Sequence, residues 1–369
     1  MIAIDETTVS TKIRILCCDG GGMRGLLTIL LLEALEQELD LLRPGTKVRD
    51  VFHVFAGTST GSLIACGLSQ GLTLDKLKNL FEKQGTKIFE TFGLRFYLQT
   101  LLRSLTKLRL SLPLFSPAGL ESVLRAEDVF PDHLLFGELP KPVLVVSYDC
   151  FNRKGVVFKS AAASKKSAQL PVWQVCRSSS AAPVAFPAFL LNDTVFMQNH
   201  RSSQRLEGDL DRSKTPVVIP MIDGGMLANN PALCAIAEVL QENQDVGLEN
   251  QLLVSFGTGQ SDDRITPKQA TLWGALAWSS LFKGIPVYQV SADGSADLSD
   301  FICKALLKEN YCRFQPLISK NAGVFQADPA SLNLIKEAAV QYLQKLGGRD
   351  KLRDLAKRLL SDTVETSGN

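Results

Sequence analysis

Short apolar runs alternate with helical patterns along the first 70 residues of the chain. Residues 14–18 form an apolar, β-favouring run, and a glycine cluster separates it from a helical pattern over residues 23–39. Residues 51–56 form a second such run, and a second glycine turn leads into a helical pattern over residues 63–68. Because strand, tight turn and helix follow each other twice, the pattern predicts an α/β fold with a parallel sheet.

The rest of the chain continues this alternation. Four further strands are predicted, the first two as a hairpin, over residues 142–148, 156–159, 217–222 and 252–256. Helix starts are predicted at Asn229-Asn230-Pro231 and at Asp328-Pro329, because asparagine and aspartate cap helices and proline suits the first helical turn. We find no repeats and no long linker. We therefore expect one domain over residues 12–346, followed by a short helix and a polar tail over residues 347–369.

Composition and charge place the chain among ordinary globular proteins. Apolar residues make up 45% and charged residues 21% of the 369 residues, which excludes a disordered, collagen-like or coiled-coil protein. The net charge of +2 does not indicate a nucleic-acid partner. The N-terminus has no apolar signal region, no apolar run approaches the roughly 20 residues of a membrane span, and the cysteines form no CxxC pair. We therefore expect a cytoplasmic protein with reduced thiols.

Two apolar segments stand out because their charges are few or of one sign. Residues 91–114 carry four basic residues and no acidic one, which favours either an interfacial helix at a membrane or a core helix with a basic outer face. Residues 271–290 contain two tryptophans and a single charged residue, Lys283. This composition favours either a lid or membrane-touching surface, or an apolar layer under the sheet.

The sequence Gly57-Thr58-Ser59-Thr60-Gly61 fits the pattern G-x-S-x-G between a predicted strand and a predicted helix. In this context a tight turn holds the serine oxygen above the edge of the sheet, and the following helix directs N–H dipoles toward developing negative charge. The alternative is a tight turn without chemistry. Ser59 is therefore a candidate nucleophile.

A second glycine-rich turn, at residues 19–25, has two interpretations. Gly20, Gly22 and Gly25 satisfy the dinucleotide-binding pattern G-x-G-x-x-G, although the downstream acids Glu38 and Asp40 lie at the polar end of the first helix and not at the end of the second strand. Gly20, Gly21 and Gly22 also suit an oxyanion hole, because they place unobstructed N–H groups at a helix N-terminus. An oxyanion hole needs a nucleophile nearby, and the candidate Ser59 follows on the next strand–turn–helix unit.

A serine nucleophile needs a base, and the chain has only three histidines, His53, His133 and His200. None follows Asp223, as the order serine, acid, histidine of α/β-hydrolase triads requires, and a triad through His200 is the weaker alternative. Asp223 ends a predicted strand and is followed by two glycines. We expect its carboxylate to reach the serine at the same edge of the sheet and to act directly as general base.

Together these motifs resemble those of the patatin-like phospholipases, a family of lipid acyl hydrolases. DGGGMRG (residues 19–25) is similar to the family's oxyanion motif, GTSTG (residues 57–61) to its nucleophile motif, and DGG (residues 223–225) to its aspartate motif. Softer similarities extend over most of the chain, at residues 180–183, 186–187, 229–231, 255–259 and 313–316. The fold implied is a three-layer α/β sandwich around a central, mostly parallel sheet.

The resemblance implies a role for each matching residue. Ser59 is the nucleophile and Asp223 the base of a Ser–Asp dyad. The oxyanion hole consists of the backbone N–H groups of Gly20, Gly21, Gly22 and Met23. The supporting motif positions are Asp19, Arg24, Gly25, Gly57, Gly61, Gly224 and Gly225. Arg24 either orients the glycine turn or binds a phosphate group.

The function implied is hydrolysis of the fatty-acyl esters of glycerolipids, of the phospholipase A or galactolipase type. No cluster of side chains has metal-ligand spacing, and we expect neither metal nor cofactor. The expected partners are a glycerolipid or phospholipid substrate and a membrane surface, with no nucleic acid, for a protein peripheral to membranes. Two alternatives are a patatin-type phospholipase switched on by a nucleotide and a dinucleotide-binding module. Head-group preference and oligomeric state carry no signal in the sequence.

Overall fold

A computed structural model describes residues 12–89, 113–161, 167–197, 218–243, 245–261, 264–280, 285–319 and 321–361. Most of the basic apolar segment over residues 91–114 and the candidate triad residue His200 therefore lie outside the described residues. Within the described residues, no helix is both long enough and apolar enough to cross a bilayer.

Strands form the central layer of the fold. In chain order they are β1 (Ile13–Cys18), β2 (Val54–Thr58), β3 (Val143–Asp149), β4 (Lys154–Lys159), β5 (Phe189–Leu191), β6 (Ile219–Asp223), β7 (Gln251–Phe256), β8 (Gln260–Ser261), β9 (Tyr311–Phe314) and β10 (Leu317–Ile318). In the part of the chain that is described, eight of them form one sheet, and β8 and β10 form a separate pair. The strands β9, β7, β1, β2 and β3 run parallel to one another, whereas β4, β6 and β5 add antiparallel pairs.

Helices cover both faces of this sheet. They are α1 (Gly25–Leu42), α2 (Val48–Val51), α3 (Thr60–Gln70), α4 (Leu74–Ile88), α5 (Pro117–Leu124), α6 (Val172–Ser179), α7 (Gly225–Ala228), α8 (Ala232–Glu242), α9 (Pro267–Leu272), α10 (Ala275–Trp278), α11 (Pro286–Leu307), α12 (Pro329–Lys345) and α13 (Gly348–Ser361). Successive residues of a strand point to opposite faces, so each face has its own core. In β1, Leu16 and Cys18 join the larger core with α1 and α3, whereas Ile15 and Cys17 join the smaller core with α8. The predicted three-layer α/β sandwich with a mostly parallel sheet is confirmed.

Strand β3 positions two other strands end to end. Along one edge, β4 pairs with residues 144–149 of β3. The other edge is shared, because β2 pairs in parallel with residues 143–146 and β6 pairs antiparallel with residues 147–149. Strands β2 and β6 therefore point at each other, and their last residues, Thr58 and Asp223, pair with adjacent residues of β3.

This topology differs from the sequence-based expectation in one respect. We expected Asp223, at the C-terminal end of its strand, to reach Ser59 at the same edge of the sheet. Strand β6 is antiparallel to β3, and Asp223 comes close to the end of β2 because the two strands meet head-on. The expected proximity is thus present, and it arises where the C-terminal ends of two opposed strands meet.

The start of β2 also differs from the prediction. The apolar run from residue 51 was predicted as strand, yet β2 begins at Val54, because residues 48–51 form the short helix α2. Two of its N-terminal amides have side-chain acceptors. Lys47 N–H donates to Asp50 over 3.0 Å and Val48 N–H to Glu36 over 2.9 Å. Local capping therefore outcompetes the β-favouring composition of this run.

The helix predicted after residue 347 is α13, and it packs against α1. Leu355 and Leu359 of α13 are buried in the larger core. Glu38 of α1 is also buried, and its carboxylate accepts hydrogen bonds from Arg349 over 2.7 Å and from Arg353 over 3.1 Å. This C-terminal helix therefore shares the core of the preceding residues.

Candidate active site

Ser59 sits in a strained turn between β2 and α3. Its backbone has φ 52° and ψ −123°, a conformation that residues other than glycine rarely adopt. A Cβ on Gly61 would overlap the carbonyl oxygen of Cys18, so β1 and α3 meet at backbone contact here. The N–H of Ser59 donates to Ser179 Oγ over 2.7 Å, and its carbonyl accepts the Ser62 hydroxyl over 2.5 Å. These contacts hold the Ser59 side chain above the edge of the sheet.

The Ser59 hydroxyl donates a hydrogen bond of 2.7 Å to Asp223 Oδ2. The other oxygen, Oδ1, accepts the N–H of Gly225 over 2.7 Å. The hydroxyl of Tyr288, from the first turn of α11, lies beside the Asp223 carboxylate and favours its charged form. Gly224 begins the tight turn that aims the carboxylate, and its Cα lies against the backbone of β3. Serine and aspartate are thus in direct contact, with no imidazole between them.

Burial raises the pKa of Asp223. The side chain is 0% exposed, and the loss of water disfavours the charged carboxylate. Hydrogen bonds from Gly225, Ser59 and Tyr288 favour the charged form and oppose this effect. The balance raises the pKa of Asp223 from 3.8 to about 6. At neutral pH the carboxylate is therefore ionised, yet it is more basic than an exposed aspartate.

The two described histidines lie away from this pair. His53 precedes β2, and its Nδ1 accepts the backbone N–H of Arg14 over 3.0 Å. Burial, Arg14 and Lys141 lower the pKa of His53 to about 4. His133 is exposed in a turn. Among the described residues, Ser59 Oγ therefore has no histidine partner.

A buried ion pair anchors the glycine-rich turn. The two oxygens of Asp19 accept hydrogen bonds from the Arg313 guanidinium over 2.8 and 2.5 Å. Arg313, on β9, also donates to Ser255 Oγ on β7 over 2.7 Å. In the sequence, Arg313 belongs only to one of the weaker similarities to the family. In the structure, its guanidinium binds Asp19, the first residue of the glycine-rich motif.

We expect the change Asp19→Ala to lower the free energy of unfolding by about 3–5 kcal/mol, because it leaves the Arg313 guanidinium buried without a counterion. Urea unfolding followed by circular dichroism measures this loss. The control is Asp128→Ala, which removes an exposed partner of Lys76 and should cost at most about 1 kcal/mol. Equal losses in the two variants would contradict a structural role for the Asp19–Arg313 pair.

The four predicted oxyanion donors differ in their hydrogen bonding. Two have acceptors within the protein: Gly20 N–H donates to the Asn229 carbonyl over 3.2 Å, and Met23 N–H to a carbonyl of the loop before α12 over 2.8 Å. For Gly21 and Gly22, no acceptor of the N–H lies among the described residues. Gly22 has φ +55°, and a Cβ there would overlap that same loop carbonyl, so this position requires glycine.

Side chains from two distant segments hold the turn beside Ser59. The carbonyl of Gly20 accepts Thr258 Oγ1 over 2.8 Å and Asn229 Nδ2 over 3.3 Å. Asn229 and Thr258 fall within the soft similarities, which is the signal by which sequence reasoning could have found them. Tyr288 carried no comparable signal, because its role depends on where α11 begins.

The remaining motif residues lie around the glycine-rich turn and the turn at Ser59. Arg24 is buried and its Nε donates to the Ala322 carbonyl over 2.7 Å, so it ties the glycine turn to the loop before α12. Gly25 is the first residue of α1, and Gly57 lies in β2 directly before the turn at Ser59.

A cavity opens next to Ser59 and Asp223. Most of its wall is apolar and comes from α3, α4, α5 and nearby loops. The wall includes Leu63, Phe81, Phe89, Leu120, Phe186 and Phe325. The ring centroids of Phe186 and Phe325 each lie 5.8 Å from the ring centroid of Phe89. The cavity therefore suits an apolar group next to Ser59.

A family profile described as Patatin-like phospholipase matches residues 16–236, which is more than half of the chain. Among curated proteins, the chain is similar to Patatin-like protein 2 of Arabidopsis thaliana, with 29% identity over 93% of this chain and 85% of that protein. It is also similar to Intracellular phospholipase A2 of Caenorhabditis elegans, with 28% identity over 95% of this chain and 30% of that protein.

Solved structures are more distant. The crystal structure of VipD from Legionella pneumophila covers 98% of this chain, and the alignment spans 72% of that chain. The sequence identity is 13% and the TM-score 0.44.

Proposed function

The chain belongs to the patatin-like phospholipase family, and on this basis we propose that it is a lipid acyl hydrolase with a Ser59–Asp223 dyad. The observation that carries this proposal is the 2.7 Å hydrogen bond from the Ser59 hydroxyl to Asp223 beside an apolar cavity. The substrate class is a glycerolipid with a fatty-acyl ester, since the cavity accepts an apolar chain next to the serine.

The first half-reaction transfers the acyl group to the enzyme. Ser59 Oγ attacks the ester carbonyl carbon while Asp223 Oδ2 takes its proton, and the carbonyl electron pair moves onto oxygen. When the tetrahedral intermediate collapses, the bond to the glycerol oxygen breaks and Asp223 returns the proton to that oxygen. In the second half-reaction water gives a proton to Asp223 and attacks the acyl-Ser59 carbonyl, which releases the fatty acid and restores the Ser59 hydroxyl.

The negative oxygen of each intermediate needs hydrogen-bond donors. We assign this role to the N–H groups of Gly21 and Gly22, because Gly20 and Met23 already donate to protein carbonyls. These groups lie at the start of α1, where the helix dipole also favours negative charge. The assignment narrows the four donors that the family resemblance implied to two.

A long-chain alkyl fluorophosphonate tests the proposal directly. It phosphonylates an activated serine that lies in a site open to lipids, and peptide mass spectrometry locates the adduct. We expect the adduct on Ser59. The control is Ser180→Ala, which removes another serine of the cavity wall and should leave labelling unchanged. Folded protein without an adduct at Ser59 would contradict the proposed dyad.

The pH dependence of the reaction should follow the ionisation of Asp223. Because its pKa is raised to about 6, kcat/KM should fall about tenfold for each pH unit below this value. Initial rates on a water-soluble ester between pH 4 and pH 8 give this profile. An acidic limb near pH 4, the usual range of an exposed aspartate, would contradict the base assignment.

Tyr288 acts in this scheme as a positioning residue for Asp223. Its hydroxyl stabilises the carboxylate, so Tyr288→Phe should raise the pKa of Asp223 and shift the acidic limb of kcat/KM upward by about one pH unit. Phenylalanine keeps the packing against Phe325. The control Tyr342→Phe removes a tyrosine hydroxyl in α12, outside the cavity, and should leave the limb in place. If the acidic limb of the kcat/KM profile lies at the same pH in the two variants, Tyr288 contributes packing only and does not stabilise the carboxylate.

A further inference from the structure

Residues 264–280, which contain α9 and α10, contribute nothing to either core. None of these residues is buried. They nevertheless include the large apolar residues Ile265, Leu272, Trp273, Leu276 and Trp278. The sequence left two locations open for residues 271–290, and in the structure the first ten of these residues lie at the surface.

The apolar side chains of this segment form an exposed cluster. Leu272 is 71% exposed and Leu276 is 90% exposed. The rings of Trp273 and Trp278 pack edge to face, with centroids 5.4 Å apart, across the short connection between α9 and α10. Large apolar groups exposed on one short segment are typical of a surface that another molecule or a membrane covers.

The charges on the segment indicate what covers it. Arg264 and Lys268 are its only formally charged residues, and both are positive. Tryptophan is enriched where proteins meet the boundary between lipid head groups and acyl chains, and lysine and arginine bind anionic head groups. A short helical segment with leucine, tryptophan and basic residues therefore fits the interface of an anionic bilayer better than a protein surface.

The segment connects directly to the wall of the cavity. Ile285 N–H donates to the Ser280 carbonyl over 2.9 Å, which joins the end of the segment to the start of α11. Tyr288, one turn further along, lines the cavity and contacts Asp223. A bilayer bound to residues 264–280 is therefore held close to the helix end that borders the reactive groups.

We infer that residues 264–280 form a membrane-docking surface that inserts Leu272, Leu276 and the paired tryptophans into the interface of an anionic phospholipid bilayer. The inference deepens the proposed function and rests on it for its purpose, which is to bring lipid to Ser59. Binding itself does not depend on turnover and can be measured separately.

Binding is tested in the Ser59→Ala background, so that the vesicles stay intact. Vesicles of phosphatidylcholine with roughly 30% phosphatidylserine are sedimented with the protein. We expect Leu272→Ser combined with Leu276→Ser to lower partitioning about tenfold or more. The matched control is Leu41→Ser combined with Leu346→Ser, which removes two exposed leucines elsewhere and should leave partitioning unchanged. Equal partitioning of the two double variants would overturn the inference.

Tryptophan fluorescence gives a second readout. Two of the three tryptophans lie in the segment, and the third, Trp173, is buried in α6. Vesicles with brominated acyl chains should quench Trp273 and Trp278. The variant with phenylalanine at both positions retains only Trp173 and should show no quenching. Unquenched wild-type fluorescence on bound vesicles would place the bilayer elsewhere on the protein and overturn the inference.

Failure of the docking surface and failure of the proposed function give different results. With Ser59 intact, the Leu272→Ser and Leu276→Ser variant should lose vesicle hydrolysis but keep hydrolysis of a water-soluble ester. If neither substrate is hydrolysed by the wild-type protein while vesicle binding still depends on the two leucines, the docking surface stands and the proposed activity fails. If light scattering shows a dimer that the double variant disrupts, with vesicle binding unchanged, a second copy covers the surface and the inference fails.

Discussion

Ser59→Ala should lower kcat/KM for ester hydrolysis by about 10⁴-fold or more, because no other group in the cavity supplies an activated nucleophile. Asp223 is the hydrogen-bond partner of the Ser59 hydroxyl, and without that hydroxyl the carboxylate has no oxygen to activate except that of water. Initial rates on a soluble ester, together with loss of the fluorophosphonate adduct, measure the effect. The Ser180→Ala variant, altered in the same cavity, should keep at least most of its activity.

Ser59→Gly separates this chemical effect from a structural one. Both Ser59 variants should be inactive, but glycine relieves the strain of φ 52° whereas alanine does not. We expect the glycine variant to be more stable than the alanine variant by about 1–3 kcal/mol in urea unfolding. An alanine variant that keeps its activity and carries the adduct on another serine would identify a different nucleophile.

Asp223→Asn should lower kcat/KM by about 10³–10⁴-fold, because the amide has nearly the shape of the carboxylate but cannot accept the proton of Ser59. The matched control is Asp149→Asn, which changes another fully buried carboxylate outside the cavity and should leave the folded protein active. If Asp223→Asn keeps its activity while His200→Ala loses it, the base is the histidine and the dyad is wrong.

The change Asp223→Asn should raise the free energy of unfolding, although it lowers activity. The folded-state pKa of Asp223 is raised from 3.8 to about 6, so the folded protein binds this proton more tightly than the unfolded chain does. The carboxylate therefore lowers the free energy of unfolding as pH rises from about 4 to about 6, by about 3 kcal/mol in total. Relative to Asp223→Asn, the wild-type protein should lose stability over this interval. Parallel pH profiles in urea unfolding would contradict the raised pKa.

Together these two effects describe a site in which the proposed activity comes at the expense of stability. The strained turn at Ser59 and the buried charge of Asp223 both disfavour the folded state, and both are needed for the proposed reaction. The apolar wall that raises the pKa of Asp223 is also the wall that would accept the acyl chain in the proposed reaction. Under this proposal, substrate binding and base strength depend on the same apolar surroundings.

Much of the fold and of the candidate site follows from the sequence alone. Two strand–turn–helix units, the serine turn and the glycine-rich turn could be predicted because their geometry depends on adjacent residues. A tight turn requires glycine at particular neighbouring positions, and a strand or helix shows its period within a few residues. The resemblance of three ordered motifs then identified the family, which the comparisons confirm.

Only the tertiary structure decided how these pieces meet. Ser59 and Asp223 are 164 positions apart, and they touch because β3 holds β2 and β6 end to end, an arrangement that no local pattern encodes. The hydrogen bond from Gly20 N–H to the Asn229 carbonyl removes one predicted oxyanion donor through a contact between residues that are 209 positions apart. Tyr288 and the exposed segment of residues 264–280 likewise depend on where α11 packs. The geometry of a turn, a strand or a helix depends on neighbouring residues, whereas strand pairing and side-chain burial depend on the whole chain.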